Sequence, residues 1–198
     1  GTGFMDVFEA IRRRRSVRQY KPDAVPVSDI EKVLQAANWA PSARNTQPWH
    51  FIVARGETKE KFARLYGQII ERGLPPAGQR TPDQERRLES ARTLGKAPVV
   101  IVALTQRVDD PGRIKGSVVS TAAAVENLIL AATALGLGTC WMLGPLAEEE
   151  KVREIFSIGP EWEIVATTPL GYPDGLPNPP ARQDPEMKEK VTWIGFGA

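Results

Sequence analysis

Residues Ser117–Leu143 read SVVSTAAAVENLILAATALGLGTCWML. Up to Leu135 the stretch is rich in Ala and apolar almost all round, the pattern of a helix running through the middle of a molecule. Gly136-Leu137-Gly138 then stops the helix, and Thr139–Leu143 reads as a short strand. A membrane span needs about 20 mostly apolar residues; this region reaches that only by including Glu126, Asn127 and the glycine break. A buried helix feeding a buried strand is the better reading. Burial would oblige Glu126 and Asn127 to find partners, across a subunit interface or on a loop.

Working outward, Phe4, Val7, Phe8 and Ile11 repeat at helical spacing and lead into Arg12–Arg15. Ser28-Asp29-Ile30-Glu31 has the form of a capping box, with the stripe Ile30, Val33, Leu34, Ala37 behind it. Trp49–Ala54 reads as a strand and Lys59–Arg72 as an amphipathic helix, followed by a Gly/Pro loop over Gly73–Gly78. Thr81-Pro82-Asp83-Gln84 combines a cap, Pro at the first helical position and Gln three residues after the cap. The charged helix it starts ends before Pro98. Val99–Leu104 is continuously apolar, as in a central strand covered on both faces. Ala147–Phe156 is an outer helix and Glu163–Leu170 another strand. Helices alternating with about four strands indicate an α/β or α+β layered domain. One domain over residues 1–198 is expected, with 173–198 a Pro-rich extended arm that wraps over something, a partner subunit being a reasonable target.

The chain has 198 residues, 26 Lys and Arg against 24 Asp and Glu, one His and one Cys. That length holds a core without disulfide or metal staples. One Cys permits no intrachain disulfide, and one His beside it argues against a protein-only zinc site, so no metal is expected. Any Ser-His-Asp or Cys-His arrangement would have to use His50. The net charge of +2 is that of an ordinary soluble surface. The start, Gly-Thr-Gly-Phe-Met, has no uninterrupted apolar region, and the expectation is a reduced cytoplasmic protein with no membrane partner. His50 reads as a strand histidine satisfied by a neighbour, Cys140 as a small core hydrophobe, and Trp141 and Met142 as core or pocket wall.

Three segments bear on chemistry. Arg12-Arg13-Arg14-Arg15-Ser16-Val17-Arg18 is either a solvated basic face at a helix C-terminus or an anion site of guanidinium groups and a hydroxyl. Ala40-Pro41-Ser42-Ala43-Arg44-Asn45-Thr46-Gln47-Pro48-Trp49 is either a polar loop or a constrained array of donors and acceptors suited to a heterocycle edge. Gly136–Gly144 is a helix stop and core strand that ends in a turn before Pro145.

Taken in order, these pieces resemble the nitroreductase-like family of FMN-dependent NAD(P)H oxidoreductases. The resemblance runs from Arg14-Arg15-Ser16-Val17-Arg18 through Ala40–Trp49 and Ala123–Leu143 to Leu170-Gly171-Tyr172-Pro173 and Arg182. No Gly-x-Gly-x-x-Gly element or P-loop competes. It implies an α+β fold with a mainly antiparallel sheet flanked by helices, in an intertwined homodimer with exchanged C-terminal arms. It implies FMN at the subunit interface, with NADH or NADPH as donor. Arg14, Ser16 and Arg182 would hold the phosphate, Arg15 would add backbone contacts, and Arg18 would lie by the pyrimidine side of the flavin as the catalytic cation. Pro41, Ser42, Asn45 and Gln47 match the loop contributed by the other subunit. Leu143 and Gly144 match the chain at the reactive edge, where some relatives carry Glu in place of Leu143. A further polar flavin contact would come from between Gly67 and Gly73.

The implied activity is ping-pong hydride transfer to a nitroaromatic, quinone or similar planar acceptor. Reductive dehalogenation or flavin fragmentation on the same fold ranks lower, because the candidate lid, Arg72–Lys96, is short. A basic nucleic-acid-binding scaffold ranks lowest, since the Arg run is short and aromatics do not interleave with it.

Overall fold

The computed structural model describes residues 5–196. Phe4, the first residue of the expected opening stripe, lies outside them. Chain order runs α1 (Val7–Arg13), α2 (Val27–Asn38), β1 (Trp49–Ala54), α3 (Glu57–Arg72), α4 (Pro82–Thr93), β2 (Val99–Gln106), α5 (Pro111–Ala134), β3 (Gly138–Thr139), α6 (Glu149–Phe156) and β4 (Trp162–Gly171). The four strands form one antiparallel sheet in the order β1-β2-β4-β3. This is the α+β architecture that the sequence resemblance implied.

The continuous apolar run of β2 is explained by burial on both faces. Val99, Ile101 and Ala103 face a core built with α2 and α5, through Val33, Ala37, Leu128 and Ala132. Val100, Val102 and Leu104 face a second core with α3, α6 and the segment after α1, through Phe62, Val152, Phe156, Val17 and Tyr20. A sheet covered by helices on both sides fixes every β2 side chain, since a one-residue slip would exchange the two sets.

Three expectations need correction. Ser28 does not cap α2: the helix starts at Val27 with Pro26 as its cap, and the Pro26 carbonyl accepts from Asp29 and Ile30. Proline sets the chain direction two residues early and draws Ser28 into the first turn. The long helix begins at Pro111 and not at Ser117, because Asp110 caps it by accepting from the Gly112 N–H at 2.9 Å. The strand expected over Thr139–Leu143 pairs as a ladder only at Gly138–Thr139 and touches β4 again at Met142 opposite Thr167.

Helix α5 is long and apolar enough to cross a membrane by length and composition. It instead buries Ala124, Val125, Leu128, Ile129 and Ala132 against the sheet and α2. The opposite side is open in the single chain, where Val119 and Glu126 are exposed, so the helix is not enclosed all round. Asn127 does find the partner its burial demands, donating from Nδ2 to the Ala36 carbonyl at 3.1 Å. From Pro173 to Phe196 the described residues form a largely exposed arm with no helix or strand, tied back where the Asp174 N–H donates to the Gln19 carbonyl.

Candidate active site

After α1 the chain runs extended, and successive side chains point to opposite sides. Ser16 bridges to Thr139 of β3 in parallel sense, and the Val17 N–H donates to the Thr139 carbonyl at 2.8 Å. Val17 is buried in the core. Arg15 turns its guanidinium back onto the Arg12 and Arg14 carbonyls at 2.7 and 2.8 Å, closing the C-terminus of α1, and lines a separate cleft with Gly136 and Pro173. The charges of Arg14 and Arg18 and the Ser16 side chain act on the Cys140 thiol, and of the three only Arg18 lines the cavity beside that thiol. Burial pushes that thiol up, while Arg18, a hydrogen bond with Ser16 and the charge of Arg14 pull it down. Among the described residues no carboxylate pairs with Arg14, Arg15 or Arg18.

Arg18 opens into a cavity of about 760 Å³, a size suited to a cofactor ring with a small substrate. Leu143 and Gly144 form part of its wall, with Cys140, Trp141 and Met142. They reach it because the chain leaves the sheet after Thr139: the Cys140 N–H donates to Thr168 Oγ1 at 3.0 Å instead of to a ladder carbonyl. Gly144 lies against Tyr66, where an added Cβ would come within 3.3 Å of the ring. Tyr66 and Ile70 are what α3 contributes to the wall; the polar contact expected between Gly67 and Gly73 is not among the lining residues. Helix α4 adds Arg86, Arg87, Ser90 and Ala91. The sequence reading missed this contribution, although Leu88 and Ala91 on the buried face of α4 fix which side its neighbours present. The wall holds three Arg and no Asp or Glu, so it favours an anion.

Pro41, Ser42, Asn45 and Gln47 are not in that wall. Their loop is nonetheless built with care. Ser42 Oγ accepts from the Gln47 N–H at 3.0 Å, Gln47 Nε2 donates to Asn45 Oδ1 at 3.1 Å, and the Ala43 N–H is held by Ser120 Oγ of α5 at 3.0 Å. Arg44, Asn45 and Gln47 all have positive φ, between 47° and 56°. Three such non-glycine residues on an exposed loop store strain that clusters at functional sites. Arg182 is exposed on the arm and is not joined to Arg14 or Ser16 within the chain. His50 is exposed and stacks on Trp162 with ring centroids 5.0 Å apart, a packing role.

The model of the nitroreductase family matches residues 11–172. The chain belongs to that family. It is 36% identical over 194 residues to a protein of Methanothermobacter thermautotrophicus provisionally named an NADH dehydrogenase/NAD(P)H nitroreductase, covering 96% of this chain and 88% of that one. A nitroreductase-like family protein from Bacillus cereus superposes with a TM-score of 0.78 at 24% identity, over 99% of this chain and all of that one. A nitroreductase with bound FMN from Desulfitobacterium hafniense gives 0.72 at 22% identity, covering 96% and 99%. At these identities the two structures speak for the nitroreductase fold.

The residues fit an anionic cofactor such as FMN: Arg18 opens into a cavity free of carboxylates, Arg14 and Ser16 precede it on the same stretch of chain though outside the cavity wall, and Gly144 leaves room beside Tyr66 that a side chain would fill.

Proposed function

We propose that the chain is an FMN-dependent NAD(P)H oxidoreductase that reduces nitroaromatics, quinones or similar planar acceptors in ping-pong order, as a homodimer in the cytoplasm. The observation that carries this reading is Arg18, with no carboxylate partner among the described residues, opening into a cavity that is edged by Leu143 and Gly144 and has no Asp or Glu in its wall. Membership of the nitroreductase family and the NAD(P)H in the archaeal relative's name support the chemistry. FMN, when bound, supplies the hydride relay from nicotinamide to acceptor.

The chain's residues bind and orient. Arg14 and Ser16 hold the phosphate, whose charge of nearly two is offset by charge-assisted bonds; Arg182, carried by the arm, completes the set. Arg15 adds only backbone, because its guanidinium is occupied at the end of α1. Arg18 is the catalytic residue, a fixed cation beside the ring edge where negative charge develops on reduction. Leu143 and Gly144 line the reactive edge. Pro41, Ser42, Asn45 and Gln47 act on the partner's cofactor, for which their strained loop is prepared in advance. No side-chain nucleophile is needed, in keeping with a chain whose one Cys is buried and whose one His is stacked.

The protein as purified should show flavin absorption that NADH or NADPH bleaches without oxygen. Arg18→Ala should slow that bleaching by at least about tenfold while retaining FMN. A preparation without flavin bands that also fails to bind added FMN would end this reading.

A further inference from the structure

Helix α4 presents its charges to the cavity in an uneven way. Arg92 and Arg80 share Glu71, at 2.9 and 3.0 Å, with Glu85 3.8 Å from Arg80. Arg86 pairs with Asp83 on the exposed side of the helix. Arg87 has no carboxylate partner among the described residues, and it lines the cavity beside Arg86. Its charge is felt at Tyr66: burial raises that phenol, Cys140 adds to the rise, and Arg87 and Arg18 oppose it.

The helix is also held firmly in place. Ser90 Oγ donates to the Arg18 carbonyl at 3.0 Å, and the Tyr20 N–H donates to the Gly95 carbonyl at 2.8 Å. Gly95 has φ of +62°, and a Cβ there would lie 2.0 Å from the Arg18 carbonyl oxygen. Along its side α4 presses on α3, where a Cβ at Gly67 would lie 2.5 Å from Arg92 Cγ. Arg87 thus sits on a helix tied to the Arg18 segment and lines, with Arg18, a cavity whose other surfaces include Tyr66, Ile70, Trp141, Met142 and Leu143. Those side chains supply flat apolar faces for a ring.

We propose that the acceptor reduced at this site carries a carboxylate or similar anionic group on its ring, bound by Arg87 with Arg86 beside it. This rests on the flavin reading above, in which Arg18 is committed to the cofactor and Arg87 is the charge left over. Arg87 is exposed, so a neutral acceptor leaves it solvated at little cost, and selectivity arises as a gain for anions. The same guanidinium groups could instead meet the 2′-phosphate of NADPH, and the test separates the two sources.

The probes are 4-nitrobenzoate and its neutral counterpart 4-nitrobenzamide. In each turnover a hydride and one proton from water convert the nitro group to nitroso and release one water. With NADH as donor, the flavin-loaded protein should favour the acid in kcat/KM by about tenfold to a hundredfold, the range for a hydrogen bond to a charged group. Arg87→Gln should erase that preference through KM, Arg87→Lys should restore part of it, and added salt should weaken it. Quenching of tryptophan fluorescence by each compound, without donor, reads the same preference independently of turnover. Equal handling of the two compounds by the natural chain, or a preference that survives Arg87→Gln, overturns the proposal. So does a loss confined to flavin reduction by NADPH with reduction by NADH intact, which would assign the arginines to the donor. Absence of flavin in the protein would defeat the function proposed above and the acceptor reading with it, whereas equal quenching by the two compounds in a protein that holds flavin would overturn this proposal alone.

Discussion

Tyr20 shows how much one side chain can hold together. It is buried between the sheet and the Arg18 segment, and its hydroxyl donates to the Val17 carbonyl at 2.7 Å. Burial pushes the phenol far above its ordinary value, the Cys140 charge adds to this, and Arg18 opposes it. The sign for stability follows. The unfolded chain releases this proton near pH 10 while the native chain keeps it, so the unfolded state binds fewer protons above that pH. Stability is therefore full below about pH 10 and falls above it by up to about 1.4 kcal/mol per pH unit for this group. Tyr66 and Cys140, also raised by burial, add to the alkaline loss, the thiol first. Tyr20→Phe should cost about 1 kcal/mol at pH 7 by losing the hydrogen bond, and the gap should close as pH passes 10. Urea unfolding at pH 7 and pH 10.5 checks this; a gap that widens with pH would contradict it. Gly95 is the other decisive residue. Gly95→Ala forces a side chain at positive φ into the Arg18 carbonyl and should cost more than about 2 kcal/mol. A melting temperature unchanged by that substitution would mean that α4 is not tied to Arg18 in this way.

At the scale of elements, α4 decides the shape of the cavity, and its start is set by a reciprocal cap. The Gln84 N–H donates to Thr81 Oγ1 at 3.2 Å and the Thr81 N–H to Gln84 Oε1 at 2.9 Å. Thr81→Ala should destabilise the protein by about 1 kcal/mol, read as a lower urea midpoint, with faster amide exchange confined to the first turn of α4. Exchange that quickens equally in β2 would show that the cap acts globally instead. This cap was legible in the sequence, as were β1 to its ends and the apolar run of β2, because each rests on local chemistry or on burial of both faces. Ser28-x-x-Glu31 had the same form as the Thr81 cap and failed, since Pro26 had already turned the chain. Asp110-Pro111 was a readable start for α5, but Gly112, Arg113, Lys115 and Gly116 interrupt the apolar pattern behind it. Of the cavity wall, Arg18 and Leu143-Gly144 were legible, because each belongs to a distinctive contiguous stretch of chain. Tyr66, Arg86 and Arg87 were not, because only the packing of α3 on α4, and of α4 on the Arg18 segment, aims them inward. The break in pairing at Cys140 and Trp141, before the chain touches β4 again at Met142, also escaped the pattern, and Trp141, Met142 and Leu143 line the cavity beyond it.

For the molecule as a whole, the apolar surface is the quantity left unbalanced. Phe8 on α1 is 69% exposed, Trp39 at the end of α2 86%, and Ile194 on the arm 83%. Val7, Ile11 and Val119 extend the first of these along α1 and the open side of α5. So many large apolar side chains left in solvent are what an association surface requires. A second copy of the chain, laying its arm and its strained Pro41–Gln47 loop on the first, would cover it and bring Arg182 to a phosphate site. On that proposal the arm contributes to assembly and cofactor retention, and little to the core of its own chain, because Leu176, Trp193, Ile194 and Phe196 all lie exposed. Deleting residues 175–198 spares the Asp174 tie to Gln19. The shortened chain should keep its circular dichroism, elute as a monomer where the full chain elutes as a dimer, and lose most of its FMN on gel filtration. Phe8→Glu should weaken the dimer without shortening the chain, since burying an unpaired carboxylate at an apolar contact is costly. Light scattering after gel filtration, with the flavin-to-protein absorbance ratio across the peak, measures both. A shortened chain that stays dimeric with its flavin intact would place the interface elsewhere and leave the exposed face of α1 without its partner.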